Sequence, residues 1–269
     1  MRPNSVRAAR LLCFGVLTSL AACAAAPVPG TSDPLAYDPT AQIMEGDAFR
    51  HVLIRGTTQD GVTLHVYIEG DGVPYTSYGT VSRDPTSRSM LMLELMRLDH
   101  TSSIYVGRPC YMGLYADRNC SPHYWTDRRF SVEVIDSIHS VIAKEIARTG
   151  ARRAILIGHS GGGALAVLLA HRIAEVSGVL TVGGNLDTRA WSGLHGYAPL
   201  TGSMNPFDLG PLPANVKALH LVGAKDRVTP PDLVRSAAAT IGGDVIVVSD
   251  FTHVCCWGRI WPEPLLQLN

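Results

Sequence analysis

Short runs of apolar, often β-branched residues alternate along this chain with longer stretches whose apolar positions recur about every three to four residues. Residues 49–55 and 62–69 read as strands around the turn Gln59-Asp60-Gly61. Residues 85–98 predict a helix that is apolar nearly all round, and 102–107 a strand. Over 127–148, Val134, Ile135, Ile138, Val141, Ile142 and Ile146 keep helical spacing, and Gly150 supplies the stop. Strand 154–158, helix 161–176 and strand 178–183 come next. Strand 218–223, helix 231–241 and strand 244–249 repeat the alternation, and a short helix ends the chain. Apolar strands alternating with helices predict an α/β fold, with a mostly parallel central sheet and helices on both faces.

The beginning of the chain lacks this pattern. Arg2, Arg7 and Arg10 precede an uncharged stretch, residues 11–26. It falls short of the roughly 20 residues that a bilayer-spanning helix needs. A basic flank, a short apolar run and small residues near its end read as a secretory signal. The run closes with Leu20-Ala21-Ala22-Cys23, which resembles the bacterial lipoprotein signal, where the Cys sulfur is acylated and cleavage frees its amine. The resemblance implies a signal peptide over 1–22, lipid attachment at Cys23, and membrane anchoring through that N-terminal lipid. An ordinary signal peptide with a chance Cys, or a retained apolar anchor, is the alternative. Ala24 in place of Asp implies, by similarity to enteric lipoproteins, an envelope protein of the outer membrane facing the periplasm. Residues 23–47, rich in Ala, Pro, Thr and Asp, read as a flexible tether to a domain at 48–269.

A 46% hydrophobic share with 23 basic against 23 acidic residues excludes a disordered chain. No basic run points to nucleic acid as a partner. Setting aside Cys13 and Cys23 leaves Cys110, Cys120, Cys255 and Cys256, in a compartment that permits disulfides. The first expectation is Cys110–Cys120, leaving Cys255 and Cys256 as a vicinal bridge or two thiols. The alternative ties one of that pair to the 110–120 loop. A zinc site from all four would lack the usual CxxC spacing, and neither metal nor cofactor is expected.

The chemistry is concentrated at Gly158-His159-Ser160-Gly161-Gly162, a G-x-S-x-G placed between a predicted strand and a predicted helix. A serine in such a tight turn projects its hydroxyl above the strand end, and Gly158 and Gly162 remove side chains that would collide there. The following helix aims its positive end at developing negative charge. Here the chain resembles the α/β-hydrolase superfamily, over about residues 48–260. The resemblance implies an α/β-hydrolase fold and a Ser…Asp…His order. Asp226 follows strand 218–223 where the family places its acid, and His253 follows the last strand where it places its base. Ser160 would be the nucleophile, His253 the base and Asp226 its orienting carboxylate. Asp187 is the rival acid; Asp250 reads as a loop residue, His220 as buried structure, and His195 as a loop residue able to contact substrate.

By the same resemblance, the oxyanion hole takes one N–H from Gly161 and one from Asp71, in Glu69-Gly70-Asp71-Gly72. Relatives commonly carry His-Gly there, so Glu69 is a departure. An acidic pair at that place opposes an oxyanion unless both side chains turn away, or else one of them recognises a cationic substrate such as an amine. Residues 108–126 either wall a substrate cleft or form a disulfide-pinned loop packed on the core. The connection 186–214, with Trp191, His195, Tyr197 and Phe207, is long enough for a small cap at most. These features imply a serine hydrolase acting through an acyl-enzyme, on small carboxylic esters. A serine peptidase or amidase for amine-bearing substrates, or a non-catalytic envelope lipoprotein that keeps the fold for binding, is the alternative. The fold supports many chemistries, so substrate choice rests on analogy.

Overall fold

The structure, a computed structural model, describes residue 33 and residues 36–57 and 61–268. The signal peptide, Cys23, most of the tether and the turn residues Gln59 and Asp60 lie outside the described residues.

Eight strands form one sheet: β1 (Gln42–Glu45), β2 (Arg50–Arg55), β3 (Thr63–Ile68), β4 (Ser103–Val106), β5 (Arg153–His159), β6 (Val176–Val182), β7 (Lys217–Gly223) and β8 (Asp244–Val248). Their order is β1-β2-β4-β3-β5-β6-β7-β8. The first two strands pair antiparallel and the other six run parallel. Every residue of β3 is buried, which requires cover on both faces. The helices that provide cover are α1 (Leu91–Met96), α2 (Val132–Thr149), α3 (Gly161–Ala170) and α5 (Pro231–Ile241), while α4 (Thr188–His195) buries only Thr188 and Ser192. In α2 the spaced apolar residues form the buried stripe, whereas all ten residues of α3 are buried.

The order of strands sets where a ligand fits. From β3 the chain moves outward to β4, then returns to β5 on the other side of β3. In sheets of this kind ligands bind outside the carboxyl ends of the strands where the order reverses, here at β3 and β5. Ile68 pairs with Gly158, His159 with Val182, Val182 with Leu221, and Gly223 with Val248. That register brings the loops after β3, β5, β7 and β8 to one edge of the sheet.

Four sequence expectations are corrected. Residues 36–47, expected in the tether, pack on the fold: β1 pairs with β2, Tyr37 is buried, and Asp38 accepts a 2.7 Å hydrogen bond from Arg97. Helix 85–98 shrinks to α1, because Met90 takes a left-handed conformation (φ 45°) and the Glu69 carboxylate accepts the N–H of Met92 at 3.1 Å. Helix 161–176 ends at Ala170, and β6 starts at Val176, where Ala154 pairs with it. Within the connection 186–214, Thr188–His195 is helical, since the Asp187 carboxylate accepts the N–H groups of Arg189 and Ala190.

Candidate active site

Ser160 occupies the turn between β5 and α3 with φ 52° and ψ −118°, a strained backbone for a residue with a side chain. Close packing of the surrounding backbone allows only glycine nearby. A Cβ on Gly158 would lie 2.1 Å from the Gly162 carbonyl oxygen, and one on Gly162 would lie 2.2 Å from that of Ile68. The main chain then holds the turn: Ser160 N–H donates to Val182 O at 2.9 Å, and Asn185 N–H donates to Ser160 O at 3.0 Å. The side chain is half-buried, and among the described residues its Oγ makes no hydrogen bond, to His253 or any other group.

Asp226 and His253 are brought together from the loops after β7 and β8. His253 Nδ1–H donates to Asp226 Oδ2 at 2.8 Å. The other carboxylate oxygen accepts the N–H groups of Val228 and Thr229 at 2.8 and 2.9 Å. The buried Thr229 hydroxyl is 2.8 Å from Gly183 O and 3.2 Å from Asp226 Oδ2. Burial raises the Asp226 pKa, yet the hydrogen bond and charge of His253, with the two backbone donors, hold it below the ordinary carboxylate range. Burial also pushes His253 below its ordinary value, only partly opposed by Asp226. A neutral imidazole with its proton on Nδ1 leaves Nε2 available as an acceptor. Its backbone carbonyl is pinned by His159 Nε2–H at 3.0 Å and Trp257 Nε1–H at 3.3 Å. The elbow histidine thus positions the loop that carries His253.

The rival groups are engaged elsewhere. Asp187 caps α4 and accepts from Asn205 Nδ2 at 2.9 Å. Asp250 is exposed and paired with Lys225. His220 is buried in β7, between Thr181 and the Gly242 carbonyl. His195 and Trp191 both donate to Val228 O, at 2.8 and 2.9 Å, which fastens α4 to the Asp226 loop.

Neither Asp71 N–H nor Gly161 N–H donates a hydrogen bond within the described chain. Both acidic side chains of the β3 loop are occupied. Glu69 accepts the N–H groups of Gly70 and Met92 at 3.2 and 3.1 Å. Asp71 is bound by Arg108 at 2.5 Å and Arg129 at 2.8 Å. These internal partners correct the expectation that one of the two acids is free to take a cationic substrate. Neither arginine stands out in the sequence, because each is distant along the chain from Asp71 and flanked by no motif. Thr229 had a signal, three residues after an acid in a turn closed by Pro230.

Cys110 is bonded to Cys120 and Cys255 to Cys256, so no thiolate among these four is left for zinc. Of residues 108–126, Tyr111 and Trp125 pack inward and are buried, and Trp125 Nε1–H donates to Ser82 O at 3.1 Å, while Arg118, Asn119 and His123 are exposed.

No protein-family description matches this chain, and no curated protein matches it significantly. Solved structures do. Est1E from Butyrivibrio proteoclasticus, seen with ferulic acid bound, superposes with a TM-score of 0.61 at 10% identity, over 84% of this chain and 98% of that one. A proline iminopeptidase-related protein from Thermus thermophilus gives 0.58 at 12%, over 85% and 98%. An alpha-beta serine hydrolase homologue from Coxiella burnetii gives 0.54 at 14%, over 84% and 94%. At such identities the likeness is one of fold, and the fold is that of the α/β-hydrolases.

Proposed function

On this α/β-hydrolase fold we propose a serine hydrolase that works through an acyl-enzyme, with Ser160 as nucleophile, His253 as base and Asp226 as its partner. The observation that carries the reading is the His253–Asp226 hydrogen bond at the sheet edge that also holds Ser160 in its glycine-bounded turn. Ser160 Oγ attacks the substrate carbonyl carbon as His253 Nε2 takes its proton. The carbonyl oxygen, now anionic, receives the N–H groups of Asp71 and Gly161 at the positive end of α3. Collapse expels the alcohol, which takes the proton back from His253. Water, deprotonated by the same Nε2, then releases the acid and restores Ser160.

Small carboxylic esters are the proposed substrates. The connection that carries α4 has room for a small cap at most, which suits an open cleft, and the carboxylates of Glu69 and Asp71 are engaged within the protein and not offered to an amine. Among the structural neighbours, one holds ferulic acid and another is related to an iminopeptidase, so the fold by itself favours neither ester nor amide. The test is a hydrolysis screen of p-nitrophenyl esters of graded acyl length against aminoacyl p-nitroanilides. Turnover of short-chain esters is expected to exceed that of the anilides; the reverse order would move the assignment to peptidase, and no turnover of either would favour a binding protein.

The pH profile follows from the buried base. Only neutral His253 can accept a proton, so kcat/KM rises with pH through its pKa. Burial lowers that pKa, and the midpoint should lie below the ordinary histidine value of about 6.5. A midpoint above that value in kcat/KM against pH would contradict the role given to His253.

We also propose that the mature protein is held at the envelope membrane by lipid on Cys23, a reading supported by the Leu-Ala-Ala-Cys sequence. Cys23→Ser should abolish incorporation of radiolabelled palmitate and move the protein out of the processed membrane fraction. Unchanged incorporation would end this reading.

A further inference from the structure

Arg108 follows β4 and Arg129 precedes α2, and both guanidinium groups turn inward onto the loop after β3. Their side chains are 1% and 5% exposed. Arg108 Nη1 donates to Asp71 Oδ1 at 2.5 Å and Arg129 Nη1 to Asp71 Oδ2 at 2.8 Å. Other donors lock the pair in place: Arg108 Nη2 to Arg129 O at 3.1 Å, and Arg129 Nε to Thr126 O at 2.6 Å. The Arg108 guanidinium carbon lies 5.2 Å from the centre of the Tyr111 ring and 5.4 Å from that of Phe130. The Tyr111 hydroxyl donates to the Asp71 carbonyl at 3.0 Å. Both ends of Asp71, carboxylate and carbonyl, are therefore held, and with them the place of its backbone nitrogen.

The cluster also touches the other side of the proposed oxyanion hole. A Cβ on Gly161 would lie 2.0 Å from Asp71 Oδ1, so the carboxylate rests against the residue whose N–H is the second donor. Two guanidinium groups offset the two carboxylates of this loop, Asp71 and the buried Glu69, in a site shielded from water. Removing two arginines from water is costly, and a buried ion pair rarely repays that cost in stability. Arg108 Nε is buried without an acceptor, which adds to the expense. Arginines that hold and neutralise a carboxylate resting against Gly161 give the arrangement a use, since an unpaired anion there would oppose a carbonyl oxygen that becomes anionic.

We propose that Arg108, Arg129 and Tyr111 are positioning residues of the hydrolytic reaction: through Asp71 they place its oxyanion N–H and offset the negative charge of an acidic loop. The proposal rests on the serine-hydrolase reading. Arg129→Gln should lower kcat about 10- to 100-fold with little change in KM, less than the loss of an oxyanion donor itself. Arg129→Lys, which keeps the charge, should recover part of that loss. Affinity for phenylboronate, which forms a tetrahedral anionic adduct on serine, should fall in parallel with kcat, which a merely structural role would not produce. Tyr111→Phe changes the fold least and should lower kcat and boronate affinity together by about 3- to 10-fold, so it serves if Arg129→Gln does not fold. Wild-type kcat and boronate affinity in folded Arg129→Gln, or in Tyr111→Phe if Arg129→Gln does not fold, would overturn the clamp and leave the hydrolase reading standing. Failure of the wild-type protein to turn over any ester or to bind boronate would overturn both.

Discussion

Ser160→Ala is expected to leave the folded structure intact and to lower kcat/KM for an activated ester on the order of 10³-fold or more. The substitution removes only the oxygen. Ser160 Oγ makes no hydrogen bond in the described chain, and the turn is held by its backbone bonds to Val182 and Asn185, which alanine keeps. Alanine retains the same strained φ of 52°, so no conformational relief separates the two proteins. Steady-state rates alongside thermal unfolding check this. Residual activity within tenfold of wild type, with an unchanged melting temperature, would mean that the bond is broken by another group.

Asp226→Asn is expected to cost up to about 10⁴-fold in turnover, through the tautomer of His253. Asp226 Oδ1 accepts two backbone N–H groups, from Val228 and Thr229. An asparagine at 226 must therefore place its carbonyl oxygen there and its NH₂ where Oδ2 now meets His253 Nδ1. Two donors would then face each other unless Nδ1 gives up its proton. The proton moves to Nε2, and the base can no longer accept one from Ser160. The buried imidazolium formed during the reaction also loses its anion. Asp187→Asn provides the contrast: that carboxylate caps α4, asparagine is an equally good cap, and rates should stay near wild type. If Asp187→Asn abolishes turnover while Asp226→Asn does not, the acid belongs after β6 and not after β7.

What could be read in the sequence was the part set by local residue pattern. A fully apolar strand, two clash-avoiding glycines and an apolar helix specify the Ser160 turn within a few residues of each other. Strand ends at Gly223 and Val248 placed Asp226 and His253 on the same edge, because parallel strands in register bring their exits together. What escaped depends on partners far along the chain. The strand Gln42–Glu45 is short, at an edge and without alternation, and only its pairing with β2 defines it. Helix α1 starts late because Glu69, from another strand's loop, takes the N–H of Met92. The acidity of Glu69 and Asp71 looked like a feature for substrates until Arg108 and Arg129 closed on the latter, and no local pattern announces an ion pair between such separated segments.

The central claim is that Ser160 is a nucleophile activated by the His253–Asp226 pair, and one measurement addresses it most directly. The purified protein is treated with a fluorophosphonate, which phosphonylates only activated serines, and the adduct is located by peptide mass mapping. The account predicts a single adduct on the peptide containing Ser160, formed more slowly below the pKa of His253 and at least about 10³-fold more slowly in Asp226→Asn. No adduct, or an adduct on a different serine, would contradict it.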